Sequence, residues 1–481
     1  MSPTSLNYFV KTLPLFILFF SLILSTLTNL GWCGALPSQS SVIAEFDVSS
    51  SSINVFSTPI AWFNGAIYTV LVEDPAGSNN GLNLRTVIKK GIPDNKGNWK
   101  WTTKLIEENT LEDKYHTQPS VGIDESGYIH VAYNMHNMPW QYKVSKEPED
   151  ISEFKFLGDL LTLEELSIVK HQNRTPFPKI GSAAIPGTQI TYPAFFNDRK
   201  GNLYVTYRFA TRPKRNWVER GFAGGVGRYN KENKEWQNLG RTVLITNDDA
   251  DLPEGIKKVE IPTFAMSKRW SVYLIMLLFD KHNAMHLSWT WRKGGAGSDC
   301  SHPSYAFSPD QGASFFRANG TKYKLSIGVA DADVVNTQDQ TEKFYAPTCL
   351  AFDPLGQPHV LLNPIGASRF FTVYNNSKKI WETSKKSPFG ATKLFMDDRG
   401  TSWAFATGLY VFERRNNLSK WKQIFSKNDN FGYPKIVPVP EESGFLVYCH
   451  HTNGNKVRIY WIKTPNMVFK TTGNSQALLN Q

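Results

Sequence analysis

Apolar and polar positions along the chain repeat one phrase: a short apolar strand, a turn built on Asp or Asn and usually Gly, and a second apolar strand. Pro119-Ser-Val-Gly-Ile-Asp124-Glu-Ser-Gly127-Tyr-Ile-His-Val-Ala-Tyr133 is the clearest copy, and Pro193-Ala-Phe-Phe-Asn-Asp198-Arg-Lys-Gly201-Asn-Leu-Tyr-Val-Thr-Tyr207 is the next. Further copies run from Pro347 through Asp353 and Gly356 to Leu362, from Lys393 to Gly400, and from Pro434 to Tyr448. Tyr273–Trp291 carries the same pattern with Asp280 and Asn283 at its turn, and Ala61–Val72 opens the series with an Asn64-Gly65 hairpin turn. Asp and Gly at these points supply turn chemistry, Asp by bonding the backbone just ahead of it and Gly by accepting positive φ. Weaker strands that end in aromatics lie between the hairpins, marked by Trp99 and Trp101, Phe154 and Phe156, Trp236, Phe315 and Phe316, Trp381 and Trp421. One hairpin with two further strands is a propeller blade, so the seven copies predict an all-β, seven-bladed β-propeller. The competing reading is a pair of β-sandwiches. Leu160–Val169 breaks the pattern and reads as a short helix on a loop.

The amino terminus follows another pattern. Lys11 precedes an apolar run from Leu13 to Leu27, and small residues follow up to Cys33-Gly34-Ala35. This is the order of a secretory signal peptide, expected to span residues 1–35, with a single propeller domain over 45–470. No later segment approaches the about 18 apolar residues that a membrane span needs, so no membrane association is expected after cleavage. The alternative is an uncleaved anchor.

The chain has 481 residues and a formal net charge of +11. A basic secreted chain without a dense Lys/Arg helix points away from nucleic acid and toward an anionic extracellular polymer, and the protein is expected to act as a monomer. Four sequons, at Asn173, Asn319, Asn375 and Asn417, fit a glycoprotein. Of the cysteines Cys33, Cys300, Cys349 and Cys449, the first would leave with the signal. The remainder is odd in number, which leaves a free thiol or a metal ligand.

Polar residues at the ends of the inner strands of a propeller converge on one mouth. The second hairpin presents His116 ahead of its first strand and His136 after its second, and the third presents Tyr192 and Arg208 in the same way. His130, His286 and His359 occupy matching positions inside strands and read as structural. Two imidazoles, a phenol and a guanidinium lack the carboxylate pair that ordinary glycoside hydrolysis uses. They suit β-elimination beside a uronate, where Arg neutralises the carboxylate, one group takes the C5 proton and another protonates O4. Asn137, Trp140 and Arg292 are candidate substrate contacts, Arg292 for a sulfate or carboxylate.

The run from Gln118 to Asn137, the segment His286-Leu-Ser-Trp-Thr-Trp-Arg292, and Tyr305-Ala-Phe-Ser308-Pro-Asp310-Gln-Gly312 resemble the neuraminidase-like BNR repeat family that contains the propeller ulvan lyases. The likeness covers about Phe56 to Lys463. It implies a seven-bladed propeller that cleaves a uronate polysaccharide between rhamnose 3-sulfate and a uronic acid, with two histidines, a tyrosine and an arginine that fall on His116, His136, Tyr192 and Arg208. Ser308–Phe315 is similar to the Asp-box turn, a structural device. Catalysis by this set needs no cofactor. A structural metal, zinc or calcium, is also implied by the family, and Cys300, His302, Cys349 and His282 are its candidate ligands; the alternative is buried thiols with a Cys300–Cys349 disulfide. Other functions that remain open are a sialidase-like hydrolase and a glycan-binding propeller without catalysis.

Overall fold

A computed structural model describes residues 36–49, 56–75, 84–94, 97–110, 118–158, 190–212, 215, 219, 221–249, 255, 257–293, 300–336, 343–344, 349–386, 388–415, 419–427, 430–451, 455–464 and 467–468. The expected signal peptide, Cys33, His116, the Leu160–Val169 segment and the sequons at Asn173 and Asn417 lie outside the described residues. Among the described residues no helix is long and apolar enough to cross a membrane.

The protein is all-β, and its strands run in successive antiparallel meanders. The first sheet holds Ile60–Phe63, Ala66–Glu73, Leu84–Pro93 and Trp99–Thr110, and the second Ser120–Ile123, Ile129–Ala132, Tyr142–Ser145 and Phe154–Phe156. A nine-stranded sheet joins two further meanders. One is Ile190–Asn197, Leu203–Ala210, Phe222–Asn230 and Glu235–Asn238; the other is Trp270–Phe279, Met285–Lys293, Cys300–Ser308 and Asp333–Val334. Their junction is the single pair Phe222–Ser271. The fifth meander is Cys349–Phe352, Pro358–Leu362, Phe370–Asn375 and Ile380–Lys386, and the sixth is Lys393–Met396, Ser402–Ala406, Tyr410–Arg414 and Lys422–Ser426. The last sheet, Phe431–Val439, Gly444–His451 and Lys456–Lys463, takes its fourth strand from the other end of the chain: Ser41–Asp47 pairs with Lys456–Lys463. Glu45 reinforces this closure by accepting from Lys456 and Arg458. The aromatic strand ends serve as outer strands or, for Trp421, stand just ahead of one, except in the fourth meander, where Phe315 and Phe316 fall outside strands and Asp333–Val334 takes the edge instead.

One local device sets five of the inner hairpins. The carboxylate of Asp124 accepts the N–H groups of Ser126 and Tyr128, at 2.9 and 3.0 Å. Asp198 does the same for Lys200 and Asn202, Asp280 for His282 and Ala284, Asp353 for Leu355 and Gln357, and Asp397 for Arg399 and Thr401. The third residue after each Asp has positive φ, and it is Gly in every case except Asn283. The repeated histidines are part of the same device. His130, His286 and His359 stand 3.4, 3.4 and 3.6 Å from the second oxygens of Asp124, Asp280 and Asp353, and the first two also meet the hydroxyls of Tyr142 and Tyr305 at 2.5 Å. They are structural, as their placement inside strands suggests. The Asp-box turn is formed too, with Asp310 bonded to Ser308 and Ser314 and with Gly312 at positive φ.

Apolar faces of neighbouring meanders form the core. Phe395, Trp403 and Phe405 of the sixth pack on Phe445, Val447 and Tyr460 of the last, and Ile60 and Leu71 of the first pack on Val437 and Trp461. His450 is buried in that last sheet, and desolvation pushes its imidazole down from 6.5 to about 4. The unfolded chain therefore takes up a proton that the folded chain refuses between these values. Stability present above pH 6.5 is expected to fall by about 3 kcal/mol as pH drops to 4. Urea unfolding across this range tests the linkage, since a His450→Gln chain should show a flatter profile.

Candidate functional site

The inner strands of the third and fourth meanders each carry a β-bulge at the end away from the Asp turn. Pairing slips between Thr191 and Ala194 in one and between Tyr273 and Met276 in the other. Tyr192 and Leu274, each six residues ahead of its Asp, adopt φ of +57° and +53°. Such a conformation is strained for a bulky residue. A bulge re-aims side chains, and here it turns Tyr192 and Tyr273 onto each other, edge to face at 5.9 Å.

Arg208 lies in the strand beside Tyr192, paired across to Thr191. Its guanidinium carbon is 4.7 Å from the Tyr192 ring, 4.7 Å from Tyr273 and 4.6 Å from Phe222. The residue is 3% exposed, and its Nε finds no hydrogen-bond partner among the described residues. Three ring faces hold the cation by attraction to their π-density. Arg292 reaches the same aromatic, 5.3 Å from Tyr273.

His136 reaches this cluster by a long-range route. It is not the end of the second meander's second strand, as the sequence suggested; that strand stops at Ala132. A short strand, His136–Met138, crosses to pair with Ile190 and Thr191 at the edge of the third meander. Asn134 and Asn137, at φ +57° and +58°, make the turns of this crossing. The Asn137 amide donates to Thr191 Oγ1 at 2.9 Å, and Thr191 returns a bond to Asn137 Oδ1 at 3.1 Å. Asn137 therefore braces the crossing. The His136 ring comes to lie parallel to Tyr192 at 5.8 Å, and Phe56 stacks on Tyr192 at 4.2 Å.

A cavity opens beside these groups, lined among others by Phe56, Tyr192, Arg208, Leu274, Lys393 and Lys435. No Asp or Glu is among its described lining residues. Burial and the neighbouring Lys393 charge hold the Lys435 ammonium well below the usual lysine range.

The structure thus groups His136, Tyr192, Arg208 and, through Tyr273, Arg292, while His116 lies outside the described residues. Two expectations are corrected. Trp140 is fully buried, stacked on Tyr142 at 5.0 Å inside the core, so no substrate can meet it. The metal set does not assemble: among the described residues no three His, Cys, Asp or Glu side chains gather. His282 sits at the Asp280 turn, whereas Cys300 pairs with Arg292 at the opposite end of a nine-residue strand, a separation of roughly 25 Å at about 3.3 Å per residue. Cys349 packs in the fifth and sixth meanders against the Leu394 backbone, and His302 bonds Ser301. Cys300 and Cys349 are not joined by a disulfide.

Tyr273, Lys393 and Lys435 were not singled out from sequence. Tyr273 occupies the bulge position of Thr191 one meander later. Lys393 precedes Asp397 by four residues, as Ala194 precedes Asp198, and Lys435 follows Pro434 as Ala194 follows Pro193. Aligning the hairpins on their turns would have found all three.

A basic, aromatic-walled cavity set in successive β-meanders defines an all-β protein of propeller-like design. Residues 78–387, well over half of the chain, match the model of the BNR repeat-containing family, and the chain belongs to that family. No curated protein matches the sequence. Among solved structures it is similar to the polysaccharide lyase Uly1, at 12% identity and a TM-score of 0.59, over 89% of this chain and 99% of that one. It is also similar to a PL25 ulvan lyase bound to -[GlcA(1-4)Rha3S]-, at 13% identity and a TM-score of 0.58, over 88% and 96%. At these identities the likeness is one of fold.

A desolvated guanidinium facing a cavity without a described carboxylate is unfavourable even between aromatic rings. Arg208→Met is therefore expected to stabilise the free protein by about 1 kcal/mol or more, measured as a shift of the chemical denaturation midpoint. An unchanged or lowered midpoint would contradict this account of the site.

Proposed function

We propose that the protein is a secreted polysaccharide lyase that cleaves a uronate-containing, sulfated, ulvan-like polysaccharide by β-elimination. In this reading the successive meanders are seven blades of one propeller, closed where Ser41–Asp47 completes the last sheet, and the enzyme acts as a monomer. The observation that carries the reading is Arg208: a buried cation, clamped by three rings, beside a cavity with no described acidic lining. The uronate carboxylate supplies the missing negative charge, and a bidentate pair with the guanidinium draws electron density from C5. Tyr192 and His116 share base and acid duty. One removes the C5 proton, the C–H electrons form the C4–C5 double bond, the C4–O4 bond breaks, and the other group protonates O4. His136, parallel to Tyr192, holds the uronate, and Arg292 meets a further acidic group of the polymer. The elimination calls for no cofactor.

A hydrolase of the sialidase kind is less well supported, because glycoside hydrolysis typically needs acidic groups at the bond and none lines the described cavity. A glycan-binding propeller would retain polymer without shortening it.

The test is incubation of the purified chain with ulvan, glycosaminoglycans, alginate, pectin and gum arabic, followed by ultraviolet absorbance of the unsaturated uronate and mass spectrometry of fragments. Unsaturated fragments from at least one uronate polymer are expected, with kcat/KM lowered about 100-fold or more in Arg208→Ala. Full activity in that variant, or hydrolysed rather than unsaturated ends, would overturn the assignment.

A further inference from the structure

Among the described Phe, Tyr and Trp residues only Phe389 is exposed, at 56%. It sits in the turn Pro388–Gly390, where the chain crosses from the outer strand of the fifth meander, Ile380–Lys386, to the inner strand of the sixth, Lys393–Met396. That inner strand starts at Lys393, which lines the cavity, and runs into the Asp397 turn at its other end, so the crossing lies at the cavity end of the meander. The four residues from Phe389 to Lys393 span at most about 14 Å. Phe389 takes φ +54° and ψ +24°, a costly conformation for a bulky residue. The Phe412 ring backs it, with centroids 3.7 Å apart and planes within 12°. Arg369, from the loop ahead of Phe370–Asn375, donates to the Gly390 carbonyl at 2.9 Å and ties the turn down. One face of the Phe389 ring is thus covered, and the other meets solvent.

Stacking on Phe412 accounts for one face of the ring; the strained backbone and the open face do nothing for the fold. The open surface is a single ring rather than a patch. Leu355 and Ile380, the other exposed large apolar residues of the fifth meander, stand at its opposite end, in the Asp353 turn and after the turn that follows Asn375. A membrane or a protein partner wants a wider apolar area, whereas one flat ring suits one ring-sized ligand. The face of an aromatic ring carries partial negative charge, which attracts the electropositive C–H groups along one side of a pyranose. We propose that Phe389 is a stacking platform for a pyranose of a glycan chain whose acidic residue occupies the cavity at Arg208. The platform rests on the reading that the cavity takes a uronate polysaccharide. It adds a contact outside that cavity, for a sugar that need carry no charge, along the short path that leads past Lys393.

Affinity electrophoresis of the full chain, in gels cast with each of the same uronate polymers and run in the cold, measures binding apart from cleavage. The wild-type chain should be retarded by at least one polymer. Phe389→Tyr, which keeps a ring, should bind like the wild type. Phe389→Leu, apolar but without a ring face, should bind about fivefold more weakly. Thermal unfolding of each variant establishes that it is folded. Unchanged affinity in the folded Leu variant overturns the platform even where the wild-type chain cuts the polymer, and an equal loss in the Tyr variant overturns stacking as its basis. Weakened retention in the Leu variant alone, with no unsaturated fragments from any polymer, upholds the platform and sinks the lyase reading instead. Failure of every polymer to retard the wild-type chain overturns the platform in favour of a protein partner.

Discussion

The carboxylate that closes five of the inner hairpins, from Asp124 to Asp397, is the constraint from which most of the molecule follows. An Asp that accepts the N–H groups two and four residues ahead, with positive φ between them, admits one turn and one register. A slip of one residue would reverse the faces of both strands, so the turn decides which side chains reach the neighbouring meander and which reach the cavity. Burial disfavours the charged carboxylate, yet Asp280 and Asp353 remain below the usual carboxylate range. The hydrogen bonds from His286 and His359, together with the turn N–H groups, outweigh the desolvation. Asp397 has Trp403 at the position of that histidine, and there burial dominates and its carboxyl is pushed up. The device therefore tolerates loss of the histidine, and the first and last inner hairpins turn without the Asp, on Asn64-Gly65 and on Pro440–Glu442 with Ser443, keeping only the positive-φ residue.

At the opposite end of the same strands the register is deliberately broken. Tyr192 and Leu274 lie at equal distances from their Asp turns, both at positive φ inside a bulge. Rigid turns at one end allow strain at the other, because the hairpin between them leaves the bulged residues no easy way to relax. The result is a cation held by three rings, an arrangement that charge pairing alone would not produce. Arg208 is buried between its rings, a costly position for a cation that lacks a described carboxylate partner.

The hairpins were legible in the sequence because turn chemistry is local: Asp, Gly and the flanking apolar residues announce it within a dozen positions. Tyr192 and Arg208 were legible for the same reason, being tied to a turn by a fixed count of residues. His136 was identified but assigned to the wrong strand, since the crossing to Thr191 depends on two asparagines at positive φ and on a partner in the next meander. Trp140 illustrates the limit of reading an aromatic near a site as a contact. It lies on the core side of that crossing, where apolar burial governs its position. The proposed metal ligands failed because their spacing along the chain ignored strand direction, which sends His282 and Cys300 to opposite ends of one hairpin.

Strand direction also explains why the cavity is basic without being a general polyanion surface. Its charges come from inner-strand positions of different meanders, namely Arg208, Lys393 and Lys435, each surrounded by apolar or aromatic wall. Inside such a wall, water screens charge weakly, and the field of each cation acts over the few ångströms that separate it from a bound group. Holding Arg208 on a strand whose register is set at the Asp198 turn fixes its orientation toward the cavity, which a flexible basic surface would not do.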